Sequence, residues 1–443
     1  TGDAVEKTEN DGAIEDGAAI SIVNRTGYKG LVEIAVTGGT FTAKEGNDAI
    51  KAYDWADKTE TAFTESDKVA VSGGTFSSAV DAALCADGFS PVKNADGTHT
   101  ILSTSCVAKI GSTGYATLED AVYGAKAGDT ITVIADTTVD YAIAVNKKLT
   151  FDLGGKTVTS TAYDFVLYVN EDVTVRNGTI KTGDSGAIKA DWSSKLILEN
   201  VTITGTSRTK ALVFICFNAA VTVDKDSTIQ STYGTSDAQP AIFMEGPAAV
   251  AAPTLHVYGT ISTVGALAIA GNGTDKATSH INIYEGATVK SEKLAMFLPQ
   301  PCEVNITGGT VEGLCAIGIK SGTLNISGGT VRGNFDNHDL DDVTNSKGDG
   351  MDYDGSAIII DSHTGYAGNV QINVTGGTVE SLHSTAIREI GADASLTNVT
   401  SLKVSGGNIK SAAGMDAIKV RETTRETVAV SGGTFSSAVP EDF

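Results

Sequence analysis

Apolar and polar residues alternate along most of this 443-residue chain in short bursts, broken again and again by paired glycines. Val69-Ala-Val-Ser-Gly-Gly-Thr-Phe shows the pattern, with every second residue apolar before the glycines and the alternation resuming after them. A period of two predicts strands with one face turned to a core. The twelve residues Val69–Val80, VAVSGGTFSSAV, return unchanged at Val428–Val439. Looser copies stand at Val36–Thr40, Ile306–Thr310, Ile326–Thr330, Val374–Thr378 and Val404–Asn408. A strand–turn–strand unit repeated in this way predicts a solenoid, in which each rung packs on its neighbours.

The rungs can be counted by the residue in the Thr position of Gly-Gly-Thr. They are Thr157, Thr179, Thr202, Thr228, Thr260, Thr288, Thr310, Thr330, Thr378, Asn408 and Thr434, mostly 20 to 35 residues apart. That spacing holds three short strands and three corners. Between successive turns comes a second strand of the form Ala-Ile-x-Ile, as at Ala187-Ile188, Ala241-Ile242, Ala316-Ile317, Ala357-Ile358, Ala386-Ile387 and Ala417-Ile418. Each rung leaves backbone groups that only another rung can pair, so a single rung does not fold alone.

Gly17–Thr40 matches Gly355–Thr378 without a gap at 15 of 24 positions, and Val36–Ile50 then follows Val404–Ile418. The excess residues at Tyr53–Asp67 read as an inserted loop. Residues 1–81 are therefore expected to be the last rungs of one module, and 107–443 a second module, the whole reading as a segment cut from a tandem array. Residues 82–106 separate them as a hairpin centred on Asn94–Gly97, which would cover an open sheet edge. Residues 115–128 predict a helix, capped by Thr117, with an apolar face of Leu118, Ala121, Val122 and Ala125 and a stop at Gly128. It reads either as a plug for the solenoid's other end or as a surface helix. Open strand edges before Asp11 and after Phe443 predict head-to-tail stacking at high concentration.

Composition narrows the partners. Fifty glycines against seven prolines, with few aromatics, favour strands and turns. Fifty-four acidic against 32 basic residues give a net charge of −22, which argues against nucleic acid or an anionic membrane. No run is long enough to insert into a bilayer. Cys85 and Cys106 lie symmetrically about the hairpin turn, and both a disulfide and two unpaired thiols fit that placement. Cys216, Cys302 and Cys315 sit among apolar residues and read as core. No Cys-x-x-Cys supports a zinc site.

Gly114–Val122 (GYATLEDAV), Gly128–Val133 (GDTITV) and Asp152–Val158 (DLGGKTV) resemble the entry to right-handed parallel β-helices of the pectate-lyase-like superfamily. The Ser-Gly-Gly-Thr-Phe ladder and the Cys-Ala-Asp-Gly-Phe hairpin are similar to tandem modules of large bacterial surface proteins. The resemblance covers nearly all of the chain. It implies an all-β, right-handed parallel β-helix with extracellular display on a bacterial cell. A buried asparagine ladder of Asn305, Asn325 and Asn373 is also implied, though three solvent-facing residues would look the same.

Candidate chemistry concentrates in Arg332–Gly355, the longest interruption between rungs. Asp336, His338, Asp341 and Asp342 are candidates for ligand contact, and Asp349, Asp352 and Asp354 for a calcium ion, since clustered carboxylates suit a hard cation. A solvated acidic loop fits the same residues. Asn345-x-Lys347-x-Asp349-Gly350 starts like an EF-hand loop, but Lys347 occupies a ligand position and Ser356 stands where the closing glutamate belongs. Trp55, in the inserted loop, reads either as a glycan contact or as the loop's anchor. Two functions follow. The first is a rigid stalk and adhesin needing no cofactor, which binds a host or environmental glycan or surface protein and neighbours further modules of its own chain. The second is a calcium-assisted polysaccharide lyase or glycoside hydrolase, with Arg332 or His338 beside Asp349 and Asp352. The Gly-His-Gly that the resemblance implies for a hydrolase is absent and the acids crowd into one loop, so the first reading is preferred.

Overall fold

A computed structural model describes residues 16–233, 239–336, 354–361, 369–390 and 399–443. The chain forms two compact units. One runs to Ala125 and includes Ile131–Ala135, and the other comprises Lys126–Thr130 and Asp136–Phe443.

The second unit is a parallel β-helix of three ladders. The first ladder stacks strands such as Leu149–Asp152, Ala220–Val223, Thr254–Val257 and Cys302–Ile306. The second stacks Thr157–Ser160, Thr228–Ser231, Thr260–Thr263 and Thr310–Gly313. The third is a sheet of eleven parallel strands from Ile143–Val145 to Ile418–Lys419. Where first- and second-ladder strands run together, as in Val173–Thr182 and Lys195–Gly205, one strand serves both. The threonines used to count rungs lie in one register column: Thr157 opposes Thr179, then Thr202, Thr228, Thr260, Thr288, Thr310, Thr330, Thr378, Asn408 and Thr434 in turn. The isoleucines of the Ala-Ile strands form a second such column, with Ile317, Ile358, Ile387 and Ile418 on consecutive rungs. Side chains alternate across each strand, so Leu196, Leu198 and Ile203 are fully buried while their neighbours face out.

Asn282, Asn305, Asn325 and Asn373 also share a column. Each amide donates to the one before, at 3.2, 2.9 and 2.9 Å. The ladder thus exists, but half-buried on the outer side of the sheet. Asn282 is its first member, and lies outside the Asn-x-x-Gly-Gly pattern that flagged the others.

In the first unit, Ile20–Arg25 pairs in parallel with Ile50–Ala56, and Ile34–Phe41 with Val69–Phe76. The inserted loop folds as a β-hairpin: Ile50–Ala56 turns at Asp57 and Lys58, both at positive φ, into Thr59–Thr61. The hairpin after the repeat pairs Phe89–Lys93 with His99–Ser103. Its loop has five residues, closed by Asn94 N–H donating to Thr98 O at 2.7 Å, so Phe89 opposes Ser103 and the pairing sits one residue away from the expected centre. Cys85 accordingly does not face Cys106. It bridges to Val71, Cys106 lies against Gly114, and both are free thiols, as are the other three cysteines. The helix is shorter than expected, Leu118–Gly124 instead of 115–128. Thr117 caps it, accepting from Asp120 N at 3.0 Å, but Ala125 is already extended and Tyr115 belongs to the strand Thr113–Tyr115. The Tyr115 ring packs against Gly124, where a Cβ would be 2.8 Å from its hydroxyl. No helix among the described residues is long and apolar enough to cross a membrane.

Candidate ligand-binding face

His338, Asp341, Asp342, Asp349 and Asp352 lie outside the described residues. Asp336 is exposed, 3.7 Å from His383 Nδ1. Asp354 is buried with its carboxylate engaged: Oδ2 accepts from Arg388 Nη1 at 2.9 Å and Ser356 Oγ at 3.0 Å, and Oδ1 from Ser356 N at 2.9 Å. Among the described residues, no group of three or more His, Cys, Asp or Glu could hold a metal ion. Arg332, the candidate base, spans three rungs. Its Nε donates to Glu380 at 2.6 Å and its Nη1 to Glu312 at 3.0 Å, and these carboxylates, Glu380 first, raise its pKa further. A guanidinium so held does not accept a proton. Trp55 is only 4% exposed and registers beside Arg25, whose guanidinium lies 5.9 Å from its ring, so it anchors the insertion.

The structure instead gathers aromatic residues on the outer face of the third ladder. Tyr168, Lys189, Phe214 and Phe243 hold the same outward position on four consecutive rungs. Their strands are three or four residues long with aliphatic neighbours buried inside, so strand alternation forces the middle residue outward. Phe165 joins from the preceding corner. It meets the Tyr168 ring edge-on at 5.7 Å and the Phe214 ring at 6.1 Å, while Phe214 and Phe243 lie 5.4 Å apart. These rings floor a cleft of about 340 Å³, edged by Lys189, Lys210, Gln239 and Glu245.

The ammonium groups are fixed over the rings. Lys189 Nζ is 5.7 Å from both the Tyr168 and Phe214 centroids and 2.7 Å from Asp191, and Lys210 Nζ is 5.5 Å from the Phe165 centroid and 3.0 Å from Asp164. Burial would raise the Asp164 carboxyl, but hydrogen bonds from Tyr168 and Lys210 outweigh it and hold the group below its ordinary range. Burial and that same carboxylate push the Tyr168 phenol well above its usual value. The floor therefore stays in one charge state through the neutral range. At the next corner, Trp192 stacks flat on Phe217, 5.1 Å apart and 4° from parallel. Both residues take positive φ, and Trp192 is 62% exposed. In the sequence these aromatic residues are scattered singly. The available signal was the x of Ala-Ile-x-Ile, which becomes an outward column once rungs are stacked.

Glu245, on the rim, accepts from Asn272 Nδ2 at 3.0 Å, and Asp275 accepts from Gly246 N at 2.8 Å. Burial, reinforced by the Glu245 charge and opposed by the Gly246 bond, lifts the Asp275 carboxyl to about 6. Well below its ordinary value of 3.8 this group is neutral in both folded and unfolded chains and has no effect. As pH rises towards about 6 the unfolded chain ionises first, so the folded state loses stability, and the full loss persists above that range. Asp275→Asn is expected to remove this part of the slope; urea midpoints at pH 4, 5, 6 and 7 for both chains would show it, and identical slopes would refute it.

Flat rings at the base of a cleft, with fixed donors and acceptors at its edge, suit a ligand that has both C–H faces and hydroxyl or amide groups. A scan against protein-family models and comparisons with curated proteins and with solved structures each returned no match.

Proposed function

We propose that this chain is a ligand-binding stalk module of a tandemly repeated bacterial surface protein, displayed outside the cell, and that its aromatic face holds a glycan. The observation that carries the reading is the outward row of half-buried Tyr168, Phe214 and Phe243 on one ladder, backed by the buried Phe165 and edged by charged groups. A sugar ring stacks its axial C–H groups on such faces while its hydroxyls meet Lys189, Gln239 and Glu245. Stacked rungs supply stiffness, and copying a module lengthens the stalk without enlarging any core. The stalk role is favoured by the duplicated segment Val69–Val80 and Val428–Val439.

The test is retention on a panel of neutral and acidic glycans, followed by titration of any that bind. Tyr168→Ala and Phe214→Ala are each expected to weaken binding by about tenfold, as truncating a central aromatic contact does. A panel with no ligand, or a ligand whose affinity ignores both substitutions, sinks the assignment to this face. Chelation is expected to leave binding unchanged; a loss on chelation would move the site to the acidic segment from Asp336 to Asp354, whose carboxylates suit calcium.

A further inference from the structure

The short strand Ala108–Ile110 buries two neighbours that strand alternation sends to opposite faces: Ala108 is 0% exposed and Lys109 5%. The Lys109 side chain is covered because it reaches the turn of the hairpin formed by Phe89–Lys93 and His99–Ser103. There Nζ donates to the Lys93 carbonyl at 3.5 Å and, in closer contact, to Asn94 Oδ1. Neither acceptor is charged. A buried amine that touches a carbonyl and a carboxamide has no counterion in contact to hold its proton. Burial accordingly lowers the Lys109 pKa, against the opposing charge of the exposed Asp96.

Asn94 is fixed from both ends. Its backbone N–H closes the turn on Thr98 O. Its Nδ2 donates to Thr98 Oγ1 at 2.8 Å and to Thr100 Oγ1 at 2.9 Å, which leaves Oδ1 turned to Lys109. Thr98 Oγ1 donates in turn to Asp96 Oδ1 at 2.6 Å. A hydrogen-bonded line therefore runs from the amide nitrogen through a hydroxyl to a carboxylate. The bonds from Thr98 hold the Asp96 carboxyl below its ordinary range, so it stands there ionised.

We propose that Lys109 and Asn94 join in an isopeptide bond. Lys109 Nζ, as the free amine, attacks Asn94 Cγ; the Cγ–Nδ2 bond breaks and the amide nitrogen leaves as ammonia. One proton shed by Nζ goes to the departing nitrogen, and the Thr98 hydroxyl backed by Asp96 is placed to carry it. A desolvated lysine is the nucleophile that such a step needs. Amines and carboxamides react very slowly as separate molecules, but held in contact they react as one. The product ties the hairpin turn to the strand that follows and closes residues 94–109 into a covalent loop. The cysteines beside the hairpin leave this role open, since Cys85 and Cys106 are free thiols.

The test is a tryptic map of the whole folded chain, incubated until its mass is constant and then denatured. Trypsin has sites after Lys93, Lys109 and Lys126. An acylated Lys109 is no longer a site, so the expected product is a single peptide, Asn94–Lys126, lighter than its sequence by one ammonia. Fragmentation of that peptide should yield no backbone ions from inside the 94–109 loop. Because the map is made on denatured chain, a hydrogen bond alone gives neither signature. Lys109→Arg and, separately, Asn94→Ser are expected to restore full mass and cleavage at position 109. Thr98→Val is expected to slow closure by about tenfold or more, and an unchanged rate would remove Thr98 and Asp96 from the step. A parent chain at its full sequence mass overturns the proposal. So does ammonia lost from Asn94 with Lys109 still cleaved, which marks a succinimide within the turn.

Discussion

Gly328→Ala is expected to destabilise the second unit by about 3 kcal/mol, while Gly38→Ala leaves the chain within about 0.5 kcal/mol of its parent. The two glycines hold the same place in the same motif, the first of the Gly-Gly pair, and neither needs positive φ. Their surroundings differ. A Cβ at Gly328 would lie 2.2 Å from Thr307 O and 2.9 Å from Thr307 C, atoms of the rung beneath, whereas a Cβ at Gly38 meets nothing within 4 Å. Rungs stack at the inter-strand spacing of about 4.8 Å, which leaves no room for a methyl aimed along the stacking direction. The obstacle is backbone, so no side chain can turn aside to relieve it. Gly376, Gly406 and Gly432 meet the carbonyls of Ser327, Thr375 and Ser405 in the same way, at 2.4, 2.3 and 2.5 Å. The second glycine of each pair is held for another reason: Gly329, Gly377 and Gly407 have φ near +72°, +75° and +84°. Urea midpoints for the two alanine variants decide the matter. Equal midpoints would mean that rung contact does not select the first glycine.

That pair of causes explains why the fold was so readable. Close stacking and a left-handed turn both demand glycine, and both recur on the rungs from Gly308-Gly309 to Gly432-Gly433, so the demand is printed along the sequence. Once Gly-Gly-Thr is aligned, the register column from Thr157 to Thr434 follows. What does not recur was harder to read. The helix ends at Gly124, on which Tyr115 packs, a contact between residues nine apart that no periodicity signals. The hairpin register turned on a single loop residue, Thr98, and with it went the pairing of Cys85 and Cys106. Trp55 fits either a glycan contact or a loop anchor from sequence, and the hairpin formed by the insertion buries it as an anchor. The aromatic face was hidden for a different reason. Tyr168, Phe214 and Phe243 are 46 and 29 residues apart in the chain and become neighbours only across rungs.

Asp361→Ala is expected to cost about 3–5 kcal/mol, the penalty of leaving one member of a buried ion pair behind. Asp361 Oδ2 lies 3.1 Å from Lys320 Nζ, and the two side chains are 2% and 1% exposed. The pair is built by register. Ile319 opposes Ile360 on consecutive third-ladder strands, so the next residues, Lys320 and Asp361, come side by side. Lys320 Nζ also stands 5.3 Å from the Phe297 ring, whose π-face favours a cation. Removing the carboxylate takes an ion-pair partner from a buried ammonium, and Lys320→Met takes one from the buried carboxylate in turn. Replacing both, as Lys320→Met with Asp361→Leu, removes the charges together and is expected to return stability to within about 1 kcal/mol of the parent or above it. Contrast the pair Lys225–Asp226, with side chains 76% and 55% exposed, where water screens both partners and Asp226→Ala should scarcely move the midpoint. Urea unfolding of the four chains at low and high salt separates the cases, because a buried pair resists screening that an exposed one feels. If Asp361→Ala matched Asp226→Ala, water would reach the third ladder at Lys320, and its buried setting beside Phe297 would have to be abandoned.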